Sequence, residues 1–82
     1  MRKAQLRKES LRFIRQALIA CREQQYCSID TGYGRCLGSI AMARRLDAIT
    51  PDEFEQLLGL ASNAVNMAAR DRRAAEGPRH AA

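Results

Sequence analysis

The chain of 82 residues contains no Trp, two Phe and two Tyr, so rings cannot supply its interior. The core has to come from Leu, Ile, Ala and Met, a set that suits closely crossing helices and not a β-sandwich. The expected class is therefore all-α. Long apolar runs are also missing: the longest, Ala17 to Cys21, falls far short of the ~18 residues of a membrane span and is too short for a signal-peptide core. A soluble, cytoplasmic protein without membrane contact is the expectation. The single histidine, His80, lies near the end of the sequence, where it cannot orient a Ser or Cys nucleophile, so no enzyme is expected. Cys21, Cys27 and Cys36 are odd in number and separated by five and eight residues. That spacing lacks the close pair of a zinc site and fits a reducing compartment, although Cys27 and Cys36 flank one expected loop and could bridge. Gly32, Gly34 and Gly38 form a G-x-G-x-x-x-G run without the strand, later acid or Lys-Ser/Thr of a phosphate-binding loop, so it reads as a turn. No metal and no cofactor is expected.

What the chain does have is basic charge, unevenly placed. Residues 1–22 hold seven basic residues and one acidic, residues 23–69 three and six, and residues 70–82 four and two, giving the net +5 as +6, −3 and +2. Basic ends around an acidic middle point to nucleic acid or an acidic protein surface as partner. Eighty-two residues make one domain. A chain of this size buries only roughly 60 to 65% of its unfolded surface, so stability is marginal and a homodimer would help it.

Hydrophobic periodicity predicts three helices. From Lys3 to Gln25, Leu6, Leu11, Phe13, Ile14, Ala17, Leu18 and Cys21 occupy one half of a helical wheel, while Lys8, Arg12, Arg15 and Arg22 occupy the other with Ile19 among them. This long amphipathic helix has a dry face and a basic face. Basic residues Arg2, Lys3 and Arg7 sit at its N-terminus, where the helix dipole favours acids, so helix stability does not explain them. The turn formers between Tyr26 and Gly34 predict a Gly-containing loop. A shorter second helix is expected over Arg35 to Ala48, with Leu37, Ile40 and Ala41 on one side and Met42, Leu46 and Ile49 on another; a helix apolar on two sides is one sandwiched between neighbours. At Ile49-Thr50-Pro51-Asp52-Glu53-Phe54 the third helix begins: Thr50 is the N-cap, Pro51 the first helical residue, Glu53 completes a capping box, and Ile49 with Phe54 forms a staple. Its stripe of Phe54, Leu57, Leu58, Ala61, Ala64, Val65 and Ala68 fails at Arg72, so packing should end near Ala69. The expected organisation is a three-helix domain over residues 1–69 and a basic tail over 70–82, a frayed helical extension followed by a disordered end.

Helices two and three could be read as a DNA-binding helix-turn-helix, but Asp52, Glu53 and Glu55 stand where phosphates would approach. An amphipathic basic helix can lie on anionic lipid, but here its apolar face is needed by the core. The stretch from Cys36 to Leu58, CLGSIAMARRLDAITPDEFEQLL, resembles the helix-turn-helix-capped segments of small accessory proteins of phages and plasmids, anti-CRISPR proteins among them. The resemblance includes no functional motif, so it carries over no residue; it implies an inhibitor or modulator that occupies a site on a host complex. The expected function is non-enzymatic binding of a protein partner through Lys8, Arg12, Arg15, Ile19, Arg22, Tyr26, Tyr33 and Arg35, because Tyr and Arg are favoured interface anchors. The alternative is a nucleic-acid-binding regulator using the same first helix.

Overall fold

A computed structural model describes residues 2–25 and 28–80, with side chains to residue 76. The fold is all-α, with three helices in the order α1 (Lys3–Arg22), α2 (Ile29–Arg45) and α3 (Pro51–His80), each packed against the other two. Ile14, Ala17 and Cys21 of α1 meet Cys36, Ile40 and Ala43 of α2 and Ala61 and Ala64 of α3, with Ala48 and Ile49 in the same cluster and Ala68 of α3 also buried. Leu6, Leu11, Leu18, Phe54, Leu57, Leu58 and Val65 cover this centre. Alanine at so many central positions lets the helices approach closely, and only Ile14, Ile40 and Ile49 bring bulk to the interior.

The start of α3 follows the expected chemistry. The Glu53 N–H donates to Thr50 Oγ1 at 3.1 Å and the Thr50 N–H donates to Glu53 Oε1 at 2.9 Å, so the two residues satisfy each other's otherwise orphaned donors. The stripe on α3 is buried as far as Ala68, and every side chain from Arg70 to Glu76 is exposed. The helix nevertheless runs on to His80, through Gly77 and Pro78. Thirty residues at 1.5 Å each make about 45 Å of helix, most of the 57 Å long axis of the molecule.

The start of α2 corrects the sequence expectation. The helix begins at Ile29 and not at Arg35, because Ser28 is a working N-cap: its Oγ accepts from the Thr31 N–H at 3.0 Å and Asp30 sits in the first turn. A cap with an acid beside it outweighs the turn tendency of Gly32 and Gly34, which lie inside α2. The helix ends also differ. The first helix stops at Arg22, short of Gln25, and α2 stops at Arg45, short of Ala48.

Both ends close in the same way. Gln24 (φ 57) and Asp47 (φ 58) take the left-handed conformation. Around them, Gln24 N–H donates to Cys21 O and Gln25 N–H to Ala20 O, while Asp47 N–H donates to Arg44 O and Ala48 N–H to Ala43 O. These are Schellman closures built without the glycine that normally occupies the left-handed position.

Candidate macromolecule-binding face

Of the seven basic residues of the first 22, Arg2 is the exposed N-cap of α1 and the other six separate into two groups. One lies along the seam with α3 and is held by acids. Arg7 grips Glu53 with two parallel bonds, Nη1 to Oε1 at 2.7 Å and Nη2 to Oε2 at 2.6 Å. The Arg22 Nη1 meets Asp71 Oδ2 at 2.6 Å, and Lys3 Nζ lies 3.4 Å from Asp47 Oδ2. The other group faces outward. Lys8, Arg12, Arg15 and Ile19 are exposed and, at about 100° per residue, fall within an arc of about 60° on α1. Among the described residues, Lys8, Arg12 and Arg15 make no ion pair or side-chain hydrogen bond.

The remaining expected site residues are distributed differently. Arg22 is placed on the seam by Asp71. Tyr33 packs against the core on the side of α2 that meets α3, its hydroxyl 3.4 Å from Ser62 Oγ, and so does not extend the basic face of α1. Arg35 is an exposed residue of α2. Tyr26 lies outside the described residues, as does Cys27 and with it the Cys27–Cys36 bridge. Cys36 is a free thiol buried beside Cys21, and burial foremost, then the neighbouring thiol, pushes its pKa up to about 11. It is held in its protonated, poorly nucleophilic form.

Residues that sequence reasoning assigned to the interior lie outside. Phe13 is 63% exposed, Met42 53% and Leu46 50%. The α2 helix packs between α1 and α3 as expected, but on its second apolar side Ile49 alone is buried while Met42 and Leu46 stay outside. Two apolar grooves result. Between α1 and α2, Glu9, Phe13, Gly38, Met42 and Leu46 line a cleft of about 410 Å³. Between α1 and α3, Leu18, Ile19, Leu60 and Asn63 line a second of about 330 Å³, in which Ile19 is 46% and Leu60 52% exposed. The two-sided apolar pattern of α2 was the available signal for the first groove. Leu60 falls outside the α3 stripe and gave a weaker signal for the second.

Chemically, the outward face of α1 offers fixed positive charges and an apolar strip. The perturbed carboxylate, Glu53, is lowered from 4.5 to about 2 first by the Arg7 hydrogen bonds and then by the Thr50 N–H, which makes it a structural anion. Among the described residues no group of three or more His, Cys, Asp or Glu converges to hold a metal, and no helix is long and apolar enough to cross a membrane. Comparison with protein families, curated proteins and solved structures finds no match to this chain.

Proposed function

We propose that the chain is a non-enzymatic binding module whose α1 docks on an acidic protein surface, in the manner of the small mobile-element inhibitors that its Cys36–Leu58 segment resembles. The observation that carries this reading is the division of the α1 cations. Lys3, Arg7 and Arg22 serve intramolecular ion pairs, whereas Lys8, Arg12 and Arg15 stand together without one among the described residues. Guanidinium groups left in water beside an apolar groove form a surface whose charge has no internal use.

The Ile19–Leu60 groove favours protein over nucleic acid as the partner. Phosphate contacts draw on charge and gain nothing from two half-exposed aliphatic side chains, while a protein ligand can seat an apolar residue between them and direct carboxylates to Arg12 and Arg15. Arg22 has two parts in this reading, since it pairs with Asp71 on the seam and also lines the Ile19–Leu60 groove.

The test is affinity capture from host extract with the wild-type chain, with Lys8→Ala/Arg12→Ala/Arg15→Ala and with Ile19→Asp, at low and high salt. The expected result is a protein retained by the wild type in high salt and lost with either variant. Capture that survives the triple substitution refutes the assignment of the face. Binding that collapses with salt, yields to a polyphosphate competitor and ignores Ile19→Asp identifies a nucleic-acid ligand instead.

A further inference from the structure

Five large apolar side chains stand exposed among the described residues: Phe13, Ile19, Met42, Leu46 and Leu60. All five line one continuous band of depressions. The α1–α3 groove holds Leu60 and Ile19. Ile19 also borders a shallow saddle on α1 of about 490 Å³, which runs over Ala17 and Ala20 to Phe13. Phe13 in turn is shared with the α1–α2 groove of Met42 and Leu46. The two grooves are therefore the ends of a single surface, joined across α1 over the short side chains of its alanines. Exposed aliphatic residues scattered singly need no explanation, but five on one path in a chain of 82 do.

Cations border the middle of this path. Arg12 lines a smaller depression with Phe13 and Gln16, and Lys8 and Arg15 lie within about 40° of Ile19 around α1. Arg22, which holds Asp71, stands in the α1–α3 groove. Acids touch the band at two places, Glu9 in the α1–α2 groove and Glu23 in the α1–α3 groove, where Glu23 accepts from Gln25 Nε2 at 2.7 Å. Four cations against two acids leave the band positive.

Its dimensions suit a helix. The two grooves lie about ten residues apart along α1, roughly 15 Å, and about one helix diameter, roughly 10 Å, apart across it, so the path runs diagonally for about 18 Å. A helix of about twelve residues has that length, and apolar side chains at i, i+4, i+7 and i+11 would reach both grooves and the saddle between them. An extended segment finds no strand to pair with among the described residues and would leave its backbone groups to water, whereas a helix satisfies its own.

We infer that the band seats one acidic amphipathic helix of the partner protein, laid diagonally across α1 with its apolar stripe in both grooves and its carboxylates toward Lys8, Arg12 and Arg15. The inference rests on the α1 docking face of the proposed function and extends it onto α2 and α3, where Met42, Leu46 and Leu60 join Phe13 and Ile19 as anchoring contacts. Charge selects the occupant. A basic helix, or a second copy of this chain at +5, meets the cations with its own positive charge, and a phosphate backbone leaves the five apolar side chains uncovered. Glu9, in the α1–α2 groove, turns the partner's carboxylates away from the Met42–Leu46 end.

The probe is a fluorescein-labelled 16-residue peptide of Leu, Glu and Ala, with leucines at i, i+4, i+7 and i+11 and glutamates along one flank. Its fluorescence anisotropy is followed on titration with the full chain, and circular dichroism shows that each variant is folded. The dissociation constant should be on the order of tens of micromolar. A peptide of the same composition with scattered leucines, and one with Lys in place of Glu, should each bind about tenfold more weakly or worse. Met42→Lys on α2 and Leu60→Lys on α3 should each weaken binding about tenfold, although both add charge of the attracting sign, because each removes an anchor from one end. Indifference to Met42→Lys, with loss at Leu60→Lys and at Lys8→Ala/Arg12→Ala/Arg15→Ala, overturns the inference and leaves the α1 face standing. Indifference to the triple substitution, or equal binding of the Lys peptide, overturns both. A chain that leaves the acidic peptide free, or that pairs with itself in sedimentation equilibrium and loses the pairing with Met42→Lys, overturns the inference as well.

Discussion

The hydroxyl of Thr50 makes one interaction that its deletion would remove cleanly. Its Oγ1 accepts the Glu53 N–H at 3.1 Å, and the side chain is exposed, so Thr50→Ala opens no cavity. The other half of the box survives, because Glu53 Oε1 still receives the Thr50 N–H and the Arg7 guanidinium. The released Glu53 N–H lies near solvent and finds water, which holds the loss to about 1 kcal/mol, the middle of the range for cap deletions. In a domain of this size that corresponds to a fall of about 4 to 8 °C in Tm. Thermal melts and urea unfolding followed by helical circular dichroism should show this fall with an unchanged m value, since the area exposed on unfolding is the same. Thr50→Ser, which keeps the acceptor oxygen, should stay within a few tenths of a kcal/mol of the wild type. An alanine variant with the wild-type midpoint, or a serine variant as weak as alanine, would show that the third helix does not draw its start from this hydroxyl.

Two further outcomes follow from groups near helix ends. Glu53 is held at about 2 in the folded chain against 4.5 ordinarily; between those values the unfolded chain takes up the proton first, so stability should fall as pH drops through that window. Glu53→Gln should flatten this part of the pH dependence of the urea midpoint, and an unchanged slope would remove Glu53 from the account. Gln24 holds φ 57, a conformation that costs a non-glycine residue about 1 to 2 kcal/mol, so Gln24→Gly should stabilise the chain by about 0.5 kcal/mol after the added freedom of the unfolded glycine. Net destabilisation in denaturant titration would mean that the Gln24 Nε2 bond to Ala68 O, 3.3 Å long, outweighs that strain.

Legibility in the sequence followed how local the determining interaction was. The third helix was readable at both ends of its packed part, because its cap is contained in Thr50 to Glu53 and its stripe ends where the periodicity does, at Ala68. The second helix was misplaced because glycine normally marks a boundary, and here the cue is inverted: Gly32 and Gly34 lie within α2, while the left-handed closures fall on Gln24 and Asp47. Ser28 with Asp30 two residues on was the competing local signal. Phe13 shows a different limit. It belongs to the apolar half of the α1 wheel, but a wheel gives direction and not depth; with Ser10 and Ala17 between it and the axis of the core, α2 approaches closely enough to leave the ring outside.

The charge distribution takes on a different meaning once the ion pairs are placed. A net of +6 over residues 1–22 beside −3 over residues 23–69 suggests a basic helix displayed for a partner. Much of that asymmetry is instead complementary charge within the chain: Asp47 at the end of α2, Glu53 in the first turn of α3 and Asp71 beyond its packed part meet Lys3, Arg7 and Arg22 in order along α1. This also explains why cations stand in the first turn of α1, where the dipole disfavours them. Lys3 and Arg7 reach past their own helix to the connection between α2 and α3, and Arg7 places Nη1 3.4 Å from Ala48 O as well. Exposed pairs of this kind add little stability singly, but their fixed spacing favours one alignment of α1 on α3 over a shifted one. On the proposed reading, the α1 cations left for recognition are Lys8, Arg12 and Arg15, three of the seven basic residues in that stretch. Because Lys3, Arg7 and Arg22 hold the helix from its two ends, those three cations are carried on a backbone already fixed in place, and a partner need not order the helix as it binds.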